Sequence, residues 1–243
     1  MKKLILAATM ALATSGATSG AMAQETVRIA TEGLYPPFNF INDAGKLDGF
    51  EIDLGNELCK RAALTCTFVQ NDWDSMMPNL NSSNFDVIMA GMSITDERKK
   101  DRLFTEAYYP PATSLYVALG ADADIKTGHV AAQTGTIQAS HVAESGATLV
   151  EFKTPDETVA AVRNGEADAV LADKEFLQPI VEQSNGELVI VNQVTLGEGI
   201  GGALRMSDTA LAEKFNTAIS AMKADGSLNA LLAKWFEDES IRF

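Results

Sequence analysis

The sequence predicts an α/β protein built from two lobes. Short β-prone apolar segments alternate with segments of helical spacing, which is the pattern of α/β folds. A second, similar series begins after Pro110-Pro111, and the chain ends in a helical segment over residues 208–235. The 243 residues, 46% of them hydrophobic, are enough for two small domains with a sizeable core.

The first 23 residues predict a signal peptide. Lys2 and Lys3 precede an apolar run over residues 4–13, and Ala21-Met22-Ala23 fits the small-x-small rule for cleavage. The apolar run is too short to span a bilayer comfortably. We therefore expect export to the periplasm with cleavage after Ala23.

The negative charge of the chain argues against some classes of binding partner. Lys and Arg number 19 against 33 Asp and Glu, so the formal net charge is −14. Such a surface repels phosphate backbones and anionic lipid, which argues against nucleic-acid and membrane-surface partners.

The two cysteines, Cys59 and Cys66, are separated by a short loop. In an oxidising compartment this pair is most simply a local disulfide. Metal binding is the weaker alternative, because neither His129 nor His141 is near them in the sequence.

The first series of elements is predicted from apolar patterns. Residues 52–63 have apolar positions spaced to share one helical face, and Asp43-Ala44-Gly45 predicts a turn. The predicted strands are 27–30, 65–69 and 86–89, and the predicted helical segments are 52–63, 74–80 and 96–102.

The second series has clearer helix boundaries. Thr154 and Glu157 have the spacing of a capping box, so a helix is predicted over 154–164. Gly226 predicts a break between two helices in the final segment. The predicted strands are 115–118, 129–132, 169–172 and 188–191, with a glycine-rich connection over 197–202.

Acidic side chains follow two of the predicted strands, at the position where open α/β sheets bind ligands. Glu32 with the nearby Tyr35 could hold a cation through charge and ring-face attraction. Asp173 could hold an ammonium group. On their own, Glu32 and Tyr35 also fit a capping acid and a packed aromatic.

Anion-binding groups follow two other strands. Gly91 and Ser93 offer hydrogen bonds, and the planar fork of Arg98 matches a carboxylate. Residues 133–136 could begin a helix whose N-terminal amides attract anions, but they lack the spacing of a phosphate loop. By itself, Arg98 also fits a surface charge cluster.

No catalytic set stands out. Gly-x-Ser-x-Gly and His-Glu-x-x-His are absent, and the two histidines have no supporting partners in the sequence. We expect no catalytic residues, no metal and no cofactor.

In their order and spacing, these segments resemble the periplasmic solute-binding proteins of amino-acid ABC importers, in particular the lysine/arginine/ornithine and histidine branch. The similarity covers nearly all of the chain after the signal segment. The segments that carry it are residues 32–38, 49–54, 55–66, 90–98 and 168–173.

The resemblance implies a two-lobe periplasmic binding protein (type II) with two hinge crossovers that closes on its ligand. Residues 24–111 and 201–243 would form lobe 1, and 113–199 would form lobe 2. The Cys59/Cys66 pair looks like the disulfide of this branch. The implied partners are a small amino-acid ligand and an inner-membrane ABC permease, and we expect a monomer.

The resemblance also implies how the ligand's backbone is held. The arginine that matches Arg98 clamps the α-carboxylate, helped by the positions of Ser93 and Thr136. The acid that matches Asp173 holds the α-ammonium. A zwitterion needs one fixed group of each charge, so these roles agree with the chemistry.

The ligand's side chain would meet a separate set of residues. Tyr35 and Trp73 match an aromatic pair that sandwiches it, and Glu32 matches an acid that meets its cationic end. A buried acid left unpaired would penalise neutral ligands by ~2–5 kcal/mol.

Four positions depart from the family pattern. Many basic-amino-acid relatives have serine where this chain has Ala90 and Gly91, so the site is roomier and a bulkier opine becomes plausible. Gln133 and Ile137 stand at positions that vary across the branch.

The sequence therefore predicts a non-enzymatic periplasmic receptor for a basic amino acid, with arginine first and lysine, ornithine or histidine next. One alternative is a receptor for an opine or a polar neutral amino acid. A second is an enzyme of dehydratase type on the same fold, in which a cleft acid protonates a leaving group. A third is a sensory receptor that feeds a separate signalling protein instead of a transporter.

Overall fold

The computed structural model describes residues 26–243 and arranges them as two five-stranded mixed sheets with helices packed around them, one sheet in each of two lobes. The predicted signal peptide lies outside the described residues. Within them, no helix combines the length and apolar character needed to cross a membrane.

Thirteen short strands make up the sheets of the described part. They are β1 (Thr26–Thr31), β2 (Leu34–Tyr35), β3 (Asn39–Ile41), β4 (Leu47–Asp48), β5 (Thr65–Gln70), β6 (Val87–Ile88), β7 (Leu103–Phe104), β8 (Ala112–Ala118), β9 (His129–Gln133), β10 (Thr148–Phe152), β11 (Ala169–Asp173), β12 (Val189–Leu196) and β13 (Ala203–Leu204).

Eight α-helices and one turn of 3₁₀-helix at Trp73–Ser75 accompany them in the same part of the chain. The α-helices are α1 (Phe50–Arg61), α2 (Met76–Asn81), α3 (Asp96–Lys99), α4 (Ile137–Ser145), α5 (Pro155–Arg163), α6 (Lys174–Gln183), α7 (Thr209–Ala224) and α8 (Ser227–Trp235).

The sheet of the first lobe has the order β5-β1-β6-β13-β7. β1 runs parallel to β5 and β6, while β13 is antiparallel to β6 and β7. The loops that follow β1 and β6 therefore leave the sheet at the same edge. These loops carry Glu32 and Gly91.

The sheet of the second lobe has the order β10-β9-β11-β8-β12. β9 runs parallel to β10 and β11, so the residues after β9 and the end of β11 share an edge. β8 is antiparallel to β11 and β12, its two neighbours.

The chain crosses between the sheets twice, once before β8 and once after β12. The two crossovers are hydrogen-bonded to each other, since Ile200 N donates to Tyr109 O at 2.9 Å and Tyr108 N donates to Ile200 O at 2.9 Å. Tyr109 also packs against Phe38 and Phe236, with ring centroids 5.1 and 5.0 Å away. The crossover is thus anchored in the core of the first lobe.

Helix α1 begins at Phe50, two residues before the predicted start. Gly49 precedes it with φ +125°, and a Cβ there would lie 2.5 Å from the carbonyl oxygen of Phe38, so only glycine fits. At the other end, the Cys59–Cys66 disulfide joins α1 to β5, with a Cα–Cα distance of 6.1 Å. The predicted local disulfide is confirmed.

The capping box and the glycine break are confirmed as well. The Thr154 side chain accepts from Glu157 N, and the Glu157 carboxylate accepts from Thr154 N at 2.9 Å. Gly226 separates α7 from α8 with φ +78°.

Several elements have no counterpart in the sequence-based predictions, β10 and α6 among them. Helix α6 carries Pro179 in its interior, a residue that usually interrupts helices. The small antiparallel sheet β2-β3-β4 is also unpredicted, apart from the turn at residues 43–45. Strand β12 continues to Leu196, past the predicted limit of 191.

Candidate functional site

A single cavity between the two lobes brings together all ten ligand-binding residues predicted from the sequence, with two glutamines added. The residues that line it are Glu32, Tyr35, Trp73, Ala90, Gly91, Ser93, Arg98, Gln133, Thr136, Ile137, Gln138 and Asp173. Direct contacts across the cleft leave about 30 Å³ open to the centre of a water-sized sphere. That space holds one or two water molecules.

Asp173 ends β11 and is 4% exposed. Its Oδ1 accepts from Gln138 Nε2 at 2.8 Å and from Ser114 Oγ at 3.2 Å, and its Oδ2 accepts from the Tyr35 hydroxyl at 3.0 Å. Burial, then the nearby charge of Glu175, raises the pKa of Asp173 to about 7, although its three hydrogen bonds oppose the shift. A cation placed beside this carboxylate would favour its ionised form.

Arg98 supplies the fixed positive charge of the cavity. It lies in α3, where the side chain of Thr95 caps the helix by accepting from Arg98 N at 3.1 Å. Its guanidinium donates to two backbone carbonyls, Ser93 O at 2.8 Å and Gly135 O at 3.1 Å. Burial lowers the pKa of Arg98 to about 10, with Asp173 opposing the shift, so the group stays cationic at neutral pH.

Glu32 lies just after β1 and is 4% exposed. Its Oε1 accepts from Gln133 Nε2 at 2.7 Å, and the same nitrogen donates to Lys153 O at 3.1 Å. Burial raises the pKa of Glu32 to about 7, partly offset by the Gln133 hydrogen bond, and the charge of Asp72 adds to the rise. This second carboxylate is held by a neutral amide and has the properties of a cation site.

The two aromatic residues come from separate parts of the first lobe. Tyr35 stacks on Phe176 of the second lobe, with ring centroids 4.9 Å apart. Trp73 Nε1 donates to Thr134 O at 3.0 Å, and the Arg98 guanidinium lies 5.8 Å from the Trp73 ring centroid. Both rings therefore line the cavity and also join the lobes.

The remaining predicted residues form small or capping parts of the wall. Gly91 has φ +65°, and a Cβ there would lie 3.5 Å from the Tyr35 ring. Together with Ala90 it gives a wall with little side-chain bulk. Thr136 caps α4: its hydroxyl accepts from Ala139 N at 3.1 Å and donates to Gln133 O at 2.7 Å.

Sequence reasoning gave no role to Gln138, Ser114 or Glu51. Gln138 and Ser114 hold Asp173, while Glu51 is completely buried next to the cavity. The position of Glu51 carries a usable signal: it is an acid inside an apolar helical segment, between Phe50 and Ile52. Among residues 26–243, no group of three or more His, Cys, Asp or Glu side chains could hold a metal ion.

The comparisons with known proteins agree on a family. Residues 27–238 match the bacterial extracellular solute-binding proteins, family 3. The histidine-binding periplasmic protein of Salmonella typhimurium is 35% identical, and the alignment covers 98% of each chain. The L-arginine-binding protein of Pseudomonas aeruginosa is 34% identical, with 97% of each chain covered.

One solved structure is considerably more similar. It is a periplasmic His/Glu/Gln/Arg/opine family-binding protein from Silicibacter pomeroyi in complex with lysine. It is 61% identical to this chain with a TM-score of 0.85, and the alignment covers 88% of this chain and 98% of that one. These relatives are binding proteins and not enzymes.

Proposed function

Because the chain belongs to family 3 of the bacterial extracellular solute-binding proteins, an amino-acid-binding family of ABC importers, we propose that it captures a basic amino acid between its lobes and delivers it to an inner-membrane permease. Arginine is the first candidate, followed by lysine, ornithine and histidine. The observation that carries the proposal is the placement of Arg98, Asp173 and Glu32 around one cavity.

The backbone of the ligand would use the two fixed charges. The Arg98 guanidinium donates only to neutral backbone carbonyls in the contacts described above. It can therefore form an ion pair with an α-carboxylate without breaking an existing ion pair. Asp173 takes the α-ammonium, which replaces or joins donors such as the Tyr35 hydroxyl. In a cleft that excludes water these paired contacts are strong.

The part of the site that meets the ligand's side chain would select for a positive charge on that side chain. Glu32 is paired with the Gln133 amide, and a guanidinium or ammonium adds a full opposite charge that the amide lacks. The faces of Trp73 and Tyr35 suit an aliphatic stem or a planar guanidinium. The lysine held by the 61% identical protein supports a cationic ligand.

A bulkier basic ligand is the second candidate. Ala90 and Gly91 leave the wall beside Tyr35 without large side chains. The name of the Silicibacter protein's family includes opines. An opine that keeps the arginine side chain would use the same Glu32 contact and fill this extra room.

The remaining features of the proposal concern the whole molecule. We infer a signal peptide that is cleaved after Ala23 and a monomer in the periplasm. Residues 24–111 and 201–243 would move as lobe 1 against 113–199 as lobe 2, turning at the two crossovers.

Titration calorimetry tests the proposal against arginine, lysine, ornithine, histidine, glutamine and octopine. We expect saturable binding of the cationic amino acids and weaker or undetectable binding of glutamine. Strong glutamine binding without an arginine signal would refute the charge argument. Octopine binding tighter than arginine would favour the second candidate.

A further inference from the structure

We propose that Glu51 is a positioning residue of the binding cavity: its buried carboxylate ties the loop that carries Glu32 and Tyr35 to the loop that carries Gly91 and to the first crossover. Glu51 lies in the first turn of α1, is 0% exposed and does not line the cavity. Its effect on an amino-acid ligand rests on the proposed function, whereas its effect on the loops does not.

The carboxylate of Glu51 is surrounded by hydrogen-bond donors. Gly91 N lies 2.8 Å from Oε1 and 2.9 Å from Oε2, Asn39 Nδ2 donates to Oε2 at 2.8 Å, and the Tyr108 hydroxyl donates to Oε1. The three donors come from three separate segments of the chain. One side chain therefore fixes the relative positions of all three.

Asn39 extends the contact to the loop after β1. Its Oδ1 accepts from Gly33 N at 2.8 Å while its Nδ2 donates to Glu51, and Asn39 is itself completely buried. Gly33 is the neighbour of Glu32 and lies two residues from Tyr35. The relay thus sets the position of the loop that carries the proposed cation-binding acid.

Tyr108 extends the contact to the first crossover. Its hydroxyl meets Glu51, and its backbone N donates to Ile200 O in the second crossover at 2.9 Å. The same carboxylate therefore links the wall of the cavity to the place where the lobes join.

Burying an acid at this position lowers the stability of the fold unless its hydrogen bonds compensate for the lost hydration. A buried carboxylate loses its hydration, and a well-packed apolar residue often serves a core equally well or better. Burial raises the pKa of Glu51, and the hydrogen bonds from Tyr108, Gly91 and Asn39 oppose that rise. Gly91 lines the proposed site and Asn39 holds the segment that carries Glu32, while Tyr108 belongs to the first crossover. These partners point to positioning of that site.

The test compares Glu51→Ala and Glu51→Gln with a control on the same helix. An amide at position 51 can still accept from Gly91 and Asn39 and turn its NH₂ toward the Tyr108 oxygen, so Glu51→Gln should rescue the function. The control is Asp53→Asn. Asp53 anchors α8 by accepting from Lys234 Nζ at 2.6 Å and Trp235 Nε1 at 2.8 Å.

Arginine affinity is measured by calorimetry well below each variant's melting temperature. We expect Glu51→Ala to weaken binding roughly 10-fold or more, and Glu51→Gln to stay within about 3-fold of the wild type. Asp53→Asn should lower the melting temperature without changing the affinity. If Glu51→Ala only lowers the melting temperature and keeps the wild-type affinity, Glu51 is structural and the inference is wrong.

Amide hydrogen exchange without ligand gives a second, independent readout. Glu51→Ala should speed exchange in residues 32–35 and 89–93, and Asp53→Asn should not. Should Glu51→Ala fail to fold, Asn39→Ala should speed exchange in 32–35 alone; unchanged exchange there overturns the inference. If the wild type binds none of the basic amino acids, the proposed function fails, while the exchange experiment still decides the role of Glu51.

Discussion

The hydroxyl of Tyr35 donates a hydrogen bond of 3.0 Å to Oδ2 of Asp173, two residues that are 138 positions apart in the sequence. The same hydroxyl oxygen accepts from Asp173 N at 3.2 Å. Tyr35 belongs to the first lobe and Asp173 to the second, so this contact closes the cleft at the carboxylate that we assign to the α-ammonium. A ligand there joins the two lobes through the same acid.

Removing the charge of Asp173 should weaken every amino-acid ligand. Asp173→Asn is nearly isosteric but cannot neutralise an α-ammonium, so we expect a loss of ~2 kcal/mol or more for arginine and lysine alike. Calorimetry at pH 7.5 measures it. Ser114→Ala, which removes one donor to the same carboxylate, should have a smaller effect; equal binding by Asp173→Asn and the wild type would contradict the assignment.

Removing Arg98 should also weaken the binding of all amino-acid ligands, because each of them carries an α-carboxylate. Arg98→Ala leaves that carboxylate without its cationic partner in the cleft, and we expect at least a ~100-fold rise in Kd for each ligand that the wild type binds. Lys99→Ala is the control, since Lys99 is a neighbouring cation that pairs at the surface with Glu198. A loss for Lys99→Ala as large as that for Arg98→Ala would indicate a general charge effect.

Glu32→Gln should separate cationic from neutral ligands. The variant keeps the shape of the side chain but loses its charge, so arginine and lysine should lose ~2 kcal/mol or more while any glutamine binding is unchanged or stronger. The control Asp74→Asn removes a nearby exposed charge that also raises the Glu32 pKa. If Glu32→Gln loses the same amount of affinity for arginine and for glutamine, the assignment of Glu32 to the cationic end of the ligand is wrong.

The raised pKa values of Glu32 and Asp173, each about 7, predict a pH-dependent affinity. A bound cation lowers both pKa values, so binding releases protons near pH 7 and arginine affinity rises from pH 5 to 8, by at most ~10-fold per pH unit for each carboxyl. Titrations in two buffers of different ionisation enthalpy measure the protons released. The affinity of Glu32→Gln should rise less steeply, and a flat wild-type profile would contradict the prediction.

The same raised pKa values make the ligand-free protein less stable as the pH rises, whereas its affinity for arginine increases. Because folding raises both pKa values, the stability that these two acids contribute is fully present below pH ~4 and is lost as the pH rises through about 7. Saturating arginine should therefore raise the melting temperature more at pH 8 than at pH 5.

The Cys59–Cys66 disulfide should contribute to stability but not to binding. It closes a short loop between α1 and β5, for which the chain-entropy model gives about 2–3 kcal/mol. Cys59→Ser with Cys66→Ser should lower the midpoint of urea unfolding and leave arginine affinity unchanged. An unaltered midpoint would show that the bridge does not stabilise the fold.

The cavity residues could be predicted because most of them lie in short segments that follow strands. The family resemblance then implied that these segments form one ligand-binding site. Arg98 is an example: its neighbours alone fit a surface cluster, yet its guanidinium lines the cavity and donates to Gly135 O in the other lobe. Local pattern also predicted the helix after Thr154, since a capping box depends on residues three apart.

The pairings inside the site could not be predicted in the same way. Gln133 meets Glu32 across 101 positions and Gln138 meets Asp173 across 35, so these contacts depend on the final packing of the lobes. Glu51 shows the same limit, because its donors Asn39, Gly91 and Tyr108 converge only in the folded chain. Helix α6 was not predicted, because Pro179 in its interior argues locally against a helix.

The most direct test of the whole account is a crystal structure of the protein with arginine bound. We predict that the ligand's guanidinium meets the Glu32 carboxylate, its α-carboxylate meets the Arg98 guanidinium, and its α-ammonium meets Asp173, all between the two lobes. Arginine bound with its guanidinium away from Glu32, or with its α-carboxylate on a group other than Arg98, would contradict the account.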